Sequence, residues 1–368
     1  MKLFYYKAPG GNFGDDLNAW LWSSVEPQLL ADPDDGYTLV GIGTLLGIKM
    51  PADSGIKLVI GTGTGLEQPQ PLDDTWKVLG VRGPLTARVL GLPPTAVVGD
   101  GAFLLRSLAA YRTAPPTRSG VGFMPHVYAA SLGDWGDACR QAGITYLDPR
   151  AECRETLDTM HSCSMVLADA MHGAIVSDTL RVPWVPLISS CEINTFKWLD
   201  WAMSVKAAYR PTELRYISVL HAVRDWYWPL TGWNHKADAA LIESYDPQDP
   251  RSTDSIFERF LARRHASPLK RRLNRAAQGV WRRILLPTLK GLQRRGLFEP
   301  IDRRLRARVA AQLRELGTRQ GILSETAVLD SAVERLKACV RSARELADGS
   351  AAASAHGRGP AGLDARDA

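Results

Sequence analysis

The chain has too few cysteines, and no metal-ligand spacing, to be a scaffold held together by cross-links. Its five cysteines (139, 153, 163, 191 and 339) are odd in number and form no CxxC pair, so they read as small apolar side chains in a reducing cytosol. No zinc spacing, EF-hand loop or GxSxG elbow occurs, and nothing demands a metal or a bound nucleotide. No apolar run approaches the roughly 18 residues of a bilayer-spanning helix. The opening from Met1 to Lys7 runs into a glycine-rich turn without a secretory-type apolar core, so a cytoplasmic protein is expected. What is present is ordinary: 368 residues, 45% hydrophobic and 23% charged, with 32 glycines and 23 prolines. Collagen-like, disulfide-rich and wholly disordered classes are excluded, and the length allows two domains with an appendage.

The formal net charge of +6 hides a division. Residues 258–319 carry 18 Lys/Arg against 4 Asp/Glu, which leaves the rest of the chain acidic. A mildly acidic body with one basic segment suits a protein held at an anionic surface. Within that segment Leu273, Ala277, Val280, Trp281, Ile284 and Leu285 share a helical face, with Arg271, Arg272, Arg275, Arg282 and Arg283 around them, until Pro287 is expected to break the helix. The stripe reads as a membrane-surface helix over 258–320 with Trp281 at the interface. The other reading is a helix packed on its own protein or on a second copy, which leaves a homo-oligomer open. No nucleic-acid-binding motif accompanies the charge, so no nucleic-acid partner is expected.

Residues 1–235 alternate between short apolar runs and helical stretches. Strands are expected at Leu3–Tyr6, Tyr37–Ile42, Lys57–Ile60, Lys77–Val81 and Thr95–Val98. Past a linker at Pro115–Ser119 they resume at Val121–Met124, Ile144–Leu147, Met165–Ala168 and Val182–Ile188. Runs that end in Gly, Thr or Asp turns are what buried parallel strands with ligand-facing carboxyl ends produce. The sequence therefore predicts an α/β protein of two α/β halves facing across a cleft. Its expected parts are an N-terminal domain over 1–115, a C-terminal domain over 116–245, a basic helical extension over 246–348 and a disordered tail over 349–368. Trp198, Trp201, Trp226, Trp228 and Trp233 are expected in the core or the domain seam.

Five places can carry chemistry. The loop Gly10-Gly11-Asn12-Phe13-Gly14-Asp15-Asp16 opens a helix after the first strand. It lacks the Gly-Lys-Ser/Thr of a P-loop, and Asp15 and Asp16 suit a hydroxyl-rich ligand better than a polyphosphate, unless the loop merely caps the helix. In Val81-Arg82-Gly83-Pro84 a cation stands at a strand end before a Pro-started helix, where it can hold a phosphate or carboxylate or form a surface salt bridge. In Asp169-Ala170-Met171-His172-Gly173 a histidine sits at a strand-to-helix junction, the side chain best suited to proton transfer near neutral pH. His126 follows another strand end, and Asp100 in Gly99-Asp100-Gly101 either forms an Asx turn or touches ligand.

The ordered set GNFGDDLN (11–18), VIGTGTG (59–65), VRGPLTARVL (81–90), GDGAFLL (99–105) and MHGAIVSDTLRVPWV (171–185) resembles the polysaccharide pyruvyl transferase family over about residues 1–230. It is most similar to the bacterial exopolysaccharide ketal-pyruvate transferases of the succinoglycan type. The resemblance implies a GT-B-like fold of two Rossmann-like domains. It also implies transfer of the enolpyruvyl carbons of phosphoenolpyruvate to a sugar of an undecaprenyl-pyrophosphate-linked repeat unit, usually as a 4,6-ketal, at the inner face of the cytoplasmic membrane. The family's Arg before Gly-Pro falls on Arg82, beside Gly83, and its His before Gly-Ala falls on His172, beside Gly173; both are associated with phosphoenolpyruvate binding and catalysis. Many members carry an Arg two residues before that His, where this chain has Ala170, so either another cation completes the anion site or the donor sits differently. Under this reading no cofactor is needed beyond phosphoenolpyruvate as co-substrate. His172 is the acid that protonates the enol carbon and Arg82 binds the anion, with Asp15, Asp16 and Asp100 unranked as acceptors of the hydroxyl proton. The rivals are a GT-B glycosyltransferase using a nucleotide sugar and a catalytically silent assembly subunit.

Overall fold

Two all-parallel sheets divide the chain in the computed structural model, which describes residues 1–33, 36–65, 72–232, 242–249, 251–262 and 268–356. The first has the order β1-β2-β3-β4, from β1 (Lys2–Phe4), β2 (Tyr37–Val40), β3 (Ile56–Thr62) and β4 (Trp76–Val81). The second has the order β6-β5-β7-β8-β9, from β5 (Val121–Met124), β6 (Thr145–Tyr146), β7 (Met165–Ala168), β8 (Trp184–Ile188) and β9 (Thr212–Glu213). Side chains alternate between two apolar layers. Leu39, Leu58 and Ile60 enter the main core, while Val40, Val59 and Val81 enter a second cluster on the other face. Sheets covered on both sides account for the nearly continuous apolar runs of their strands.

The expected elements are present with ends shifted by a few residues, except Thr95–Val98. There Pro93 and Pro94 supply no N–H for a ladder, a 3-10 turn forms at Pro94–Ala96, and only Val97 makes an isolated bridge, to Val81. The Pro115–Ser119 linker has no regular structure but is pinned: the Arg118 guanidinium donates to the carbonyls of His161 and Leu180, at 3.1 and 2.6 Å. Trp198 and Trp201 are core residues, packed with Trp184 and Tyr209. Trp226 is 75% exposed, contrary to its expected place in the core or seam. Trp233 lies outside the described residues.

The C-terminal helices are built into both sheets. The helix Glu299–Leu316 lays Val309, Ala310, Leu313 and Leu316 against the second sheet's outer core. Ile322 then pairs with Trp184 of β8 in an antiparallel bridge. From there the helix Thr326–His356 crosses to the first sheet, where Leu329, Ala332, Leu336, Val340 and Ala343 are buried at helical spacing and the Cys339 thiol donates to the Leu79 carbonyl. Helix continues past Gly349 to His356, beyond the expected start of the disordered tail; residues 357–368 lie outside the described residues.

The basic segment also departs from its expected form. A π-turn at Trp281–Leu285 separates the helices Pro268–Val280 and Leu286–Arg294. Pro287 thereby falls in the first turn of the second helix, where its missing N–H is tolerated, and does not end the run. Trp281 is not at an interface: it is 2% exposed and stacks on Tyr227, ring centroids 5.4 Å apart. Leu269, Leu273, Val280 and Ile284 are exposed apolar residues of the first helix and the turn that follows it.

Candidate active site

In the second sheet the chain leaves β5 towards β6 on one side and β7 on the other, so a topological switch point lies between the carboxyl ends of β5 and β7. That is where open parallel sheets bind ligands. His126 follows β5 and His172 follows β7. Asp169 ties the two loops together: its carboxylate accepts from the His126 N–H at 2.7 Å and from the Ser189 N–H and hydroxyl at 2.7 and 2.6 Å. Above these strand ends the cleft holds a cavity of about 310 Å³ lined by Asn12, Gly14, Asp15, His126, His172 and Lys197, among others. It adjoins a second cavity of about 290 Å³, and Thr44, Ile48, His126, Tyr128, Met171 and Lys197 line both. Loops that follow strands of both sheets contribute to the walls.

His172 lies in the first turn of the helix Met171–Thr179. Its ring rests against Gly14 so closely that a Cβ there would stand 2.0 Å from Nδ1, which explains the glycine in the loop of the opposite unit. Burial, then the charges of Arg82 and Lys197, pushes the imidazole down to about 3. The resting histidine is therefore neutral at pH 7. Its Nε2 is 3.8 Å from Asp100 Oδ2, and neither atom has a hydrogen-bond partner among the described residues. Asp100 also holds its Asx turn, Oδ1 accepting from the Ala102 N–H at 3.0 Å. Burial raises it to about 6, partly offset by Arg82.

The three candidate carboxylates are sorted by their surroundings. Asp15 lines the cavity, accepts from Asn12 Nδ2 at 2.6 Å, and is raised to about 7, chiefly by burial against the pull of Lys197. Asp16 is absent from the lining; its carboxylate reaches back to the Asn12 N–H at 2.8 Å, a helix-start contact. Asp100 stands behind His172.

Arg82 does not line either cavity. It is fully buried, with Nε donating to Asp200 Oδ2 at 3.1 Å, Nη1 to the Gly43 carbonyl at 3.2 Å and Nη2 to the Thr64 carbonyl at 3.2 Å. Asp200 belongs to the helix Thr195–Ser204 of the second unit and also accepts from the Thr86 N–H at 2.8 Å and hydroxyl at 2.7 Å. The pair is thus a clasp between units, and Arg82 reaches the cavity wall through the Gly43 carbonyl and the Thr44 hydroxyl, at 3.2 and 3.4 Å. Gly83 has the same setting: a Cβ would meet the Asp200 carbonyl at 2.0 Å. Gly173 faces Met124 and is not in the lining. His126 does line both cavities, with a buried, unpartnered Nδ1 and a proton affinity pushed down to about 3 by burial and then Lys197.

The residue that the sequence reading missed is Lys197. It lines both cavities, in the first turn of the helix Thr195–Ser204, and its charge acts on Asp15, His126 and His172. A cation at a helix N-terminus opposes the macrodipole, and that local misfit was the available signal. Together with two helix starts, Thr195–Ser204 and Met171–Thr179, it makes the cavity electropositive. Among the described residues no group of three His, Cys, Asp or Glu is placed to hold a metal ion, and no helix is long and apolar enough to cross a membrane.

A switch-point cleft with a neutral histidine, a carboxylate near neutrality and a lysine at a helix start is the working end of an α/β enzyme. Residues 45–190 match the family model for polysaccharide pyruvyl transferase. The chain is also similar to the succinoglycan biosynthesis protein ExoV of Rhizobium meliloti (strain 1021), 36% identical over 216 residues, 58% of this chain and 68% of that protein. The chain belongs to the polysaccharide pyruvyl transferase family. No solved structure matches it.

Proposed function

We propose that the enzyme transfers the pyruvyl unit of phosphoenolpyruvate to two hydroxyls of one sugar of a lipid-linked exopolysaccharide repeat unit, forming a ketal, read as 4,6, and releasing phosphate. The observation that carries this reading is the meeting of His172 and Lys197 in one electropositive cleft. Lys197 with the helix starts supplies the anion site that Ala170 lacks. Arg82 positions it through the clasp with Asp200 and the hydrogen bond to Thr44. The two facing units, with the last helix returning to the first sheet, are read as GT-B-like.

The chemistry follows from the charges. The donor brings three negative charges beside a neutral imidazole, which raises its proton affinity and loads it with a proton. His172 gives that proton to the CH2 carbon, and the electron pair of the double bond becomes the new C–H bond. The resulting oxocarbenium centre takes the oxygen of the first sugar hydroxyl, whose proton goes to Asp15 and from there returns to His172. The second hydroxyl displaces the phosphate oxygen, and its proton leaves with inorganic phosphate. One hydroxyl proton is thus in the new methyl group and the other on the phosphate. Of the three carboxylates, Asp15 alone lines the cavity, where burial raises it to about 7.

The acceptor's lipid places the reaction at the inner face of the cytoplasmic membrane. Exposed Leu269, Leu273, Val280 and Ile284 among exposed Arg272, Arg275, Arg282 and Arg283 support docking on anionic lipid. The test is phosphate release from phosphoenolpyruvate by the purified protein, with and without a lipid-linked or short glycoside acceptor. Release that depends on acceptor, a product heavier by about 70 Da and loss of both in His172→Ala are expected. Stabilisation by a nucleotide sugar and not by phosphoenolpyruvate would favour the glycosyltransferase instead.

A further inference from the structure

The second cavity holds four groups that the mechanism leaves unused. The Glu192 side chain, 9% exposed, accepts at Oε1 from the Arg224 guanidinium at 2.8 Å, while its Oε2 is buried without a partner among the described residues. Trp228 lines the same cavity together with His126 and Asn194, and its buried Nε1, like the His126 Nδ1, has no hydrogen-bond partner among the described residues. The Arg224 guanidinium lies 4.5 Å from the Trp228 ring and 5.9 Å from that of Tyr128, which fixes both aromatic faces at the rim. Buried polar atoms without partners are costly and mark where ligand groups are meant to bind.

We propose, on the pyruvyl-transfer reading above, that this second cavity is the acceptor subsite. It takes the hexose ring that receives the ketal, with Glu192 Oε2 accepting from a ring hydroxyl, Trp228 Nε1 donating to another, and Tyr128 and Trp228 covering the apolar C–H face. The pattern is that of a neutral hydroxyl-rich ligand: a half-free carboxylate would repel a phosphate, whereas two aromatic rims and an amide suit a sugar. At about 290 Å³ the cavity is at the small end of ligand sites, as a single sugar unit requires. Burial raises Glu192 to about 7, Arg224 pulling the other way, so the group is able to donate as well as accept near neutral pH. Shared walls bring the ring beside Lys197 and His126, next to the donor. The outer side of Trp228 packs on Trp281, centroids 6.0 Å apart, so the basic helical pair adjoins the subsite where a lipid-linked sugar would enter.

The test uses the full chain, labelled phosphoenolpyruvate and, as acceptor, the lipid extract of producing cells that lack this protein. Wild type is compared with Glu192→Gln and Tyr128→Ala; the second variant alters a half-exposed rim residue and leaves the fold intact. Each is expected to raise the acceptor KM about tenfold or more with the phosphoenolpyruvate KM within about twofold. Unchanged acceptor KM in both variants, or a rise confined to the phosphoenolpyruvate KM, overturns the subsite while pyruvyl transfer stands. No labelled lipid product with wild type overturns the transfer reading, and the subsite with it.

Discussion

His172 Nε2 faces Asp100 Oδ2 across 3.8 Å, and neither atom has a hydrogen-bond partner among the described residues. Ordinarily such a pair would close into a charged contact. Burial acts against both charges at once, lowering the imidazole to about 3 and raising the carboxyl to about 6. The resting site therefore holds a proton acceptor that has not been filled, and an incoming trianion is what would fill it.

Donor binding is accordingly expected to take up about one proton at pH 7.5. Calorimetric titration of phosphoenolpyruvate in two buffers of different ionisation enthalpy reads this directly. In His172→Ala the uptake should fall while binding persists; equal uptake in the variant would assign the proton elsewhere.

Asp100→Asn separates stability from activity. A carboxyl whose folded pKa is raised binds more protons folded than unfolded between about pH 4 and 6, so its contribution to stability declines through that window and is a cost above it. Asparagine keeps the turn to Ala102 and carries no charge. The variant should exceed wild type by on the order of 2 kcal/mol at pH 8, with most of the gain gone by pH 4. Urea denaturation at the two pH values measures it, and a gain independent of pH would refute the assignment.

The sheets were legible because their strands are short apolar runs ended by glycine or aspartate, and His172 because it sits at such an end. Arg82 was legible as a position but not as a role, since nothing in Val81-Arg82-Gly83-Pro84 records that Asp200, 118 residues later, closes on its guanidinium. Lys197 and Glu192 were missed for the same reason: each acquires its meaning from groups on distant loops. Trp281 was placed on the wrong side because helical periodicity fixes a face but not what covers it, and the π-turn rotates that face towards Tyr227 and Trp228.

Lys197 and Arg82 should fail differently when replaced. Lys197→Met removes a cavity cation and is expected to raise the phosphoenolpyruvate KM about tenfold or more with little loss of stability. Asp200→Asn strands the Arg82 charge with a weaker partner at a fully buried seam, and should cost about 3–5 kcal/mol and weaken the hold between units. Thermal melts with donor titrations distinguish them. A stable Asp200→Asn protein with only its donor affinity reduced would return Arg82 to a direct binding role.

Membrane docking rests on which apolar residues face outward. Leu269, Leu273, Val280 and Ile284 are 67, 61, 41 and 58% exposed. An exposed leucine or isoleucine gains about 1.5–3 kcal/mol when fully buried, and each nearby arginine about 1 kcal/mol at an anionic surface. Wild type should therefore sediment with vesicles containing anionic lipid and not with neutral ones, and salt should release it. Leu273→Glu with Ile284→Glu should weaken this at least tenfold and leave the soluble activity on short glycosides intact. Trp281→Phe should leave vesicle binding unchanged and lower stability, because the indole is buried against Tyr227 and Trp228. Binding to neither kind of vesicle would show that this face does not meet lipid, and equal binding to both would overturn the part given to the arginines.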